Sequence, residues 1–177
     1  MKFTPTHVAG VIVVDLEPRI DDRGFFARSF CQREFEAQGL HAQFVQANMS
    51  YNQEIGTLRG MHWQDAPHSE VKVVRCTRGV IYDVALDLRR ESATYLKWVG
   101  VELSAENGRS LYIPQGCAHG YLTLTPGAEI HYLVSTFYAP SHDRGACWND
   151  PAFGIEWPQV ARHIISERDK AHPLWQP

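Results

Sequence analysis

A succession of short β-branched stretches, each cut off by a turn signal, restricts the fold of this chain more than any other feature. Val11-Ile12-Val13-Val14 is the first of them. Val71 to Cys76, Val80 to Leu88, Lys97 to Leu103 and Ser110 to Pro114 follow. Gly79, Arg89-Arg90-Glu91-Ser92 and Glu106-Asn107-Gly108 separate them. Tyr121 to Leu124 and Glu129 to Tyr138 complete the set, divided by Pro126-Gly127. Many strands with close-set turns predict an all-β protein, an antiparallel sandwich or jelly roll, with a few short peripheral helices. Two helices are expected. Ser29 with Gln32 has the form of a capping box for a helix over Arg33 to Ala37 that ends at Gly39, and Ser166 with Asp169 opens a short turn before Pro173. Pro151, Gly154 and Pro158 make Trp148 to Pro158 an extended surface strap. The length of 177 residues favours one domain, 1–177, able to bury roughly 70% of its unfolded surface.

The formal charge of −3 gives no basic footprint, so nucleic acid is not an expected partner. An anionic ligand must then be held by a few local cations. The four cysteines are widely spaced with no CxxC pair, and read as small buried fillers in a reducing compartment. Val8 to Val14 is too short for a convincing signal peptide, and no apolar run approaches the roughly 20 residues of a membrane span. A cytoplasmic protein with no membrane partner is expected.

Chemistry concentrates in Arg59-Gly60-Met61-His62-Trp63-Gln64 and the nearby Lys72. A guanidinium fork grips phosphate oxygens. An imidazole exchanges protons near neutral pH, and an ammonium stabilises an oxyanion as it forms. Together they point to proton abstraction beside a carbonyl, on a substrate tethered by phosphate. If Glu129 to Tyr138 is one strand, Tyr132 and Tyr138 share a face. Spacing alone favours core aromatics with satisfied hydroxyls over substrate contacts. Pro114-Gln115-Gly116-Cys117-Ala118-His119 fits the pattern that closes the metal site of many cupins, but the companion element reads His62-Trp63-Gln64 and lacks an imidazole. Two His and the distant Glu70 make a thin ligand set, so a cupin barrel with no metal is expected. His119 is equally a turn residue bonding its own backbone or a substrate contact. Asp169 is a first-turn acid or a partner for His62, and unaided the cap is favoured. Arg23 reads as part of a solvated loop and Phe25 and Phe26 as core phenylalanines, although Arg23 suits a phosphate and either ring could stack. Gln46 and Asn48 read as polar strand residues, although their amides suit a hydroxyl or a base edge.

These pieces occur in a recognisable order. The chain resembles the dTDP-4-dehydrorhamnose 3,5-epimerase family through Asp22-Arg23-Gly24-Phe25-Phe26, Val45-Gln46-Ala47-Asn48, Leu58 to Gln64, Val99 to Leu103, Ile113 to Gly120, Tyr138-Ala139-Pro140, Trp148-Asn149-Asp150-Pro151 and Ser166 to Asp169. The resemblance implies a metal-free cupin jelly roll, with no cofactor, that forms a homodimer and sends N-terminal strands to its partner. It implies a nucleotide-diphosphate sugar as ligand. By the same resemblance His62 is the general base, oriented by Asp169. Lys72 stabilises the enolate, and Tyr132 is the acid on the opposite face. Arg59 and a neighbouring subunit's Arg23 hold the diphosphate, while Gln46, Asn48, His119 and Tyr138 line the pocket.

The chain departs from the family pattern in two places. Arg28 stands where the family usually has a Glu suited to the N3–H of thymine, and a guanidinium only donates. A cytosine nucleotide is therefore an alternative. Leu133 and Thr136 replace a Lys and an Asp near the acid, so inversion at C3 alone or C5 alone is an alternative to both. A 3,4-ketoisomerase, a metallo-cupin and a non-catalytic sugar-nucleotide binder are the remaining classes.

Overall fold

The computed structural model describes residues 1–176. In chain order the elements are β1 (Lys2–Pro5), β2 (Ile12–Asp15), β3 (Arg19–Asp21), β4 (Gly24–Phe26) and α1 (Gln32–Ala37). Next come β5 (Gln46–Asn52), β6 (Leu58–Gln64), β7 (Lys72–Arg78), β8 (Val80–Asp87) and β9 (Trp98–Ser104). The chain finishes with β10 (Ser110–Ile113), β11 (Cys117–Thr123), β12 (Ala128–Val134), β13 (Asp143–Gly145) and α2 (Glu167–Lys170). A six-stranded sheet runs β1-β2-β10-β7-β12-β5, a five-stranded sheet runs β13-β6-β11-β8-β9, and β3 and β4 form a separate hairpin. The strand-to-strand pairings within the sheets are antiparallel. This is the jelly roll expected from the strand pattern.

Side chains of period 2 place Val74, Leu111, Ile130, Ile81, Ala85, Leu103 and Tyr121 in one core cluster between the sheets. A second cluster forms where Phe35 of α1 packs under Phe3, Phe30 and Tyr112. A third gathers Met61, Val84 and Leu86 with Ala146 and Phe153, so the Trp148–Pro158 strap is anchored by a buried phenylalanine.

Three expectations need correction. Ser29 does not cap α1: Cys31, with an extended backbone, occupies that position with no side-chain cap bond, and α1 begins only at Gln32. The last long strand stops at Val134, so Tyr138 lies on the loop after β12 and is exposed rather than facing the barrel with Tyr132. Cys76 and Cys117 are buried, but Cys31 and Cys147 are only partly so. Burial pushes the Cys76 thiol up to about 11 and that of Cys117 to about 12, which makes both poor nucleophiles.

Candidate active site

The cleft is built from both sheets. Lys72 pairs with Val134, Val74 with Tyr132, Tyr132 with Asn48 and Val134 with Gln46. The alternation of strands therefore sends Lys72, Tyr132, Asn48 and Gln46 to one face of the six-stranded sheet. His62 and His119 are register partners on β6 and β11 of the five-stranded sheet. Two adjoining cavities share His62, Lys72 and Tyr132. One, of 380 Å³, opens past Gln46, Asn48, Glu70 and Tyr138. The other, of 170 Å³, reaches Arg59, His119 and Tyr121. A larger depression of 650 Å³ between Trp98 and Phe153 gathers no comparable set of acids and bases.

Asp169 arrives from the far end of the sequence through backbone ties. Leu58 N–H donates to Ile164 O at 2.9 Å and Ile164 N–H donates to Gly56 O at 2.8 Å, which lays the C-terminal segment beside β6. Ser166 then caps α2, its hydroxyl accepting from Asp169 N–H at 3.1 Å. The cap and the dyad are both present: Asp169 Oδ1 accepts from His62 Nε2 at 2.9 Å, and Oδ2 accepts from Gly60 N–H at 3.2 Å. Burial alone would raise the Asp169 carboxyl, yet the hydrogen bond and charge of His62, with Gly60 N–H, bring it below the usual carboxylate value. An ionised carboxylate only accepts, so His62 carries its proton on Nε2 and keeps Nδ1 free to take another.

Gly60 makes the close approach of β6 to β11 possible. Its φ is +121°, and a Cβ there would stand 2.5 Å from Gly120 Cα and 2.8 Å from His119 O. Gly60→Ala is expected to cost about 3 kcal/mol or more, from left-handed strain and from overpacking of β6 against β11. Chemical denaturation measures it, and a loss under about 1 kcal/mol would show that the strands relax freely.

Lys72 is buried, with Nζ 3.0 Å from Glu70 Oε1 and 3.5 Å from His62 O. Gln64 Nε2 holds the other carboxylate oxygen of Glu70 at 3.1 Å. Burial raises the Tyr132 phenol, so it stays protonated at neutral pH. His119 is neither a turn residue nor bonded to its own backbone. It sits within β11, and its Nε2 meets Asp83 Oδ1 at 2.7 Å. Tyr138 donates to Asp143 at 2.7 Å, and Arg168 of α2 grips the same carboxylate oxygen at 2.5 Å.

The cleft thus unites His62, Asp169, Lys72, Tyr132, Arg59, Gln46, Asn48, His119 and Tyr138. Arg23, Phe25 and Arg28 remain outside it in their own chain. Arg23 pairs with Asp21 at 2.6 Å, and Arg28 meets Glu34 at 3.4 Å in a separate recess; Phe25, expected in the core, is instead 67% exposed because β4 pairs only with β3, apart from both large sheets. Sequence reasoning missed Asp83, Asp143, Arg168 and Tyr121, and gave Glu70 only a metal role. Asp83 had a visible signal, because a carboxylate inside the apolar run of β8 demands a partner. The metal set considered from sequence, His62 with His119 and Glu70, does not gather. Among the described residues the His/Asp group with close donor atoms is instead His62, Asp169 and His172, within 4.8 Å of one another.

A jelly roll whose cleft sets an imidazole–carboxylate pair across from a phenol and a buried ammonium belongs with the nucleotide-sugar epimerases, an enzyme class of proton transfer. The family of dTDP-4-dehydrorhamnose 3,5-epimerase matches residues 5–177, and the chain belongs to it. A dTDP-4-dehydrorhamnose 3,5-epimerase of Sinorhizobium fredii is 43% identical over 173 residues, spanning 98% of this chain and 89% of that protein. The same enzyme of Bacillus anthracis, crystallised with TDP and PPi bound, matches with a TM-score of 0.94 at 40% identity, over 98% of this chain and 99% of that one. A dTDP-6-deoxy-D-glucose-3,5-epimerase of Legionella pneumophila, in complex with dTDP-4-keto-L-rhamnose, gives a TM-score of 0.93 at 35% identity, over 98% of this chain and 92% of that one.

Proposed function

We propose that residues 1–177 act as one domain that inverts C3 and C5 of a dTDP-linked 4-keto-6-deoxyhexose. Nδ1 of His62 takes the proton from the carbon beside the ketone, and the C–H electron pair moves toward C4 as negative charge develops on its oxygen. A C–H of this kind is too weak an acid to ionise unaided, so that oxygen needs a fixed cation. The Lys72 ammonium, buried and balanced by Glu70, supplies one with little reorganisation. The phenol of Tyr132 then delivers a proton to the opposite face. Base and acid rise from opposing sheets, and this observation carries the proposal: a sugar between the sheets meets His62 on one side and Tyr132 on the other.

Arg59 and a second subunit's copy of Arg23 hold the diphosphate, and Gln46, Asn48, His119 and Tyr138 line the nucleotide-sugar pocket. The β3–β4 hairpin supports a dimer with exchanged N-terminal strands. It projects Ile20, Phe25 and Phe26 at 79%, 67% and 69% exposure, more apolar surface than a short hairpin leaves in water without a partner. The substrate is taken as a dTDP sugar, like the ligands of the Bacillus and Legionella relatives. Arg28, the residue that favours cytosine, is paired with Glu34 outside the cleft of its own chain.

Incubation with a dTDP-4-keto-6-deoxyhexose in heavy water tests the function. Deuterium at both C3 and C5 of the epimerised product is expected by NMR. Label at one carbon only would reduce the activity to a single-site epimerase, and a product with its carbonyl moved to C3 would make it a ketoisomerase.

A further inference from the structure

His172 lies directly behind the His62–Asp169 pair and has no role in the reaction as derived above. It follows α2 by one residue, and its side chain is 12% exposed. Its Nε2 is buried with no hydrogen-bond partner, an uncommon state for a polar atom. That atom lies 3.6 Å from Asp169 Oδ1, the same oxygen that accepts from His62. The rings of His172 and His62 meet edge to face, with centroids 5.7 Å apart. The neighbouring strand is shaped around it. Gly145 of β13 is the register partner of His62, and a Cβ at Gly145 would fall 2.1 Å from His172 Nε2. Only glycine leaves room for the ring there. Backbone ties on the far side fix the segment: Cys147 N–H donates to Pro173 O at 3.2 Å, and Trp175 packs on Trp63 with ring centroids 6.0 Å apart.

We infer that His172 is a positioning residue for the catalytic pair: its ring braces Asp169 from behind and turns a polar N–H toward the oxygen that His62 uses. The inference rests on the assignment of His62 as base. The groups facing His172 are His62 on β6, Asp143 on β13, and Arg168 and Asp169 on α2. Burial, then the charge of His62, lowers the His172 imidazole below its ordinary value, which favours the neutral ring. A neutral imidazole with its proton on Nε2 directs a positive dipole end at Asp169. It thereby draws on the carboxylate charge that would otherwise stabilise the His62 imidazolium. When His62 holds the substrate's proton, that opposition favours its release. Without the dipole, Asp169 grips the imidazolium more tightly and slows the release of its proton.

The pH profile of kcat/KM in His172→Phe and His172→Gln tests this, alongside His62→Asn. Phenylalanine keeps a ring and removes the N–H, whereas glutamine keeps an N–H at similar reach. His172→Phe is expected to move the acid limb up by about half a pH unit or more and to lower kcat about three- to tenfold, with KM within about twofold. His172→Gln is expected to bring the limb back toward its original position. An unmoved limb in His172→Phe would overturn the inference, as would an equal shift in both variants, because either outcome makes the ring mere packing. If His62→Asn keeps its turnover, the base assignment falls and the inference with it. Lost turnover there beside an unmoved limb in His172→Phe removes the inference alone.

Discussion

His62→Asn is expected to lower kcat by roughly 10³-fold and to leave nucleotide-sugar affinity within about threefold. The asparagine amide ends near the Nδ1 position, short of Asp169, so the 2.9 Å contact from Nε2 is lost as well, while the backbone bonds of Ile164 still tie the C-terminal segment to β6. What the proposed reaction loses is the lone pair on Nδ1 of a residue that lines the cleft. No neighbouring group replaces it. Lys72 is engaged by Glu70 and the His62 carbonyl, His119 is spent on Asp83, and the Tyr132 phenol is held protonated by burial. Kinetics over a range of dTDP-sugar concentrations, with calorimetric titration of dTDP, separates the two effects. A kcat within tenfold of the unmodified enzyme would place the base elsewhere. A parallel loss of affinity would mean that His62 mainly shapes the pocket.

Tyr132→Phe should be nearly as damaging to product formation, by roughly 10²- to 10⁴-fold, but for a different reason. The ring packs against the core cluster that includes Val74 and Ile130, and phenylalanine keeps that packing, so the loss is not one of stability. Only the hydroxyl is removed. His62, the proposed base on the opposing sheet, is untouched, and so is the Lys72 ammonium proposed to stabilise the enolate. The variant should therefore still open the C–H bond and return a proton to the face it came from. Product formation would fall while hydrogen exchange continues. Loss of both together would mean that the phenol also serves the first step, through binding or through the enolate oxygen.

The sheets were readable in the sequence because β-branched runs and turn residues obey local rules. Seven expected strands correspond to observed ones, with ends displaced by a few residues. The end of β12 was misjudged because Ser135 and Thr136 carry the strand's alternating pattern past Val134, while Ser135 instead turns its hydroxyl to the backbone of Val71 at 2.8 Å. The cleft was readable only in part. Lys72 stood out by its place ten residues after His62, and strand alternation gave Tyr132 a face, although read there as a core aromatic. Asp169 did not, since it meets His62 through a C-terminal segment pinned by Ile164 and Trp175, and no periodicity encodes such a tie. Without the family resemblance its side chain reads as a helix cap, and its backbone N–H is in fact capped by Ser166. His172 gave still less warning: a lone histidine before Pro173 has an ordinary reading, and Gly145, which makes space for it, lies on a distant strand.

The fate of hydrogen in Tyr132→Phe tests the two-sided cleft most directly. With a dTDP-4-keto-6-deoxyhexose in heavy water, deuterium should enter beside the ketone of recovered substrate at a rate near that of the unmodified enzyme, with configuration retained and little epimer formed. Epimer appearing as fast as the label would show that a group other than the phenol reprotonates the far face, and base and acid would not then be divided between the two sheets.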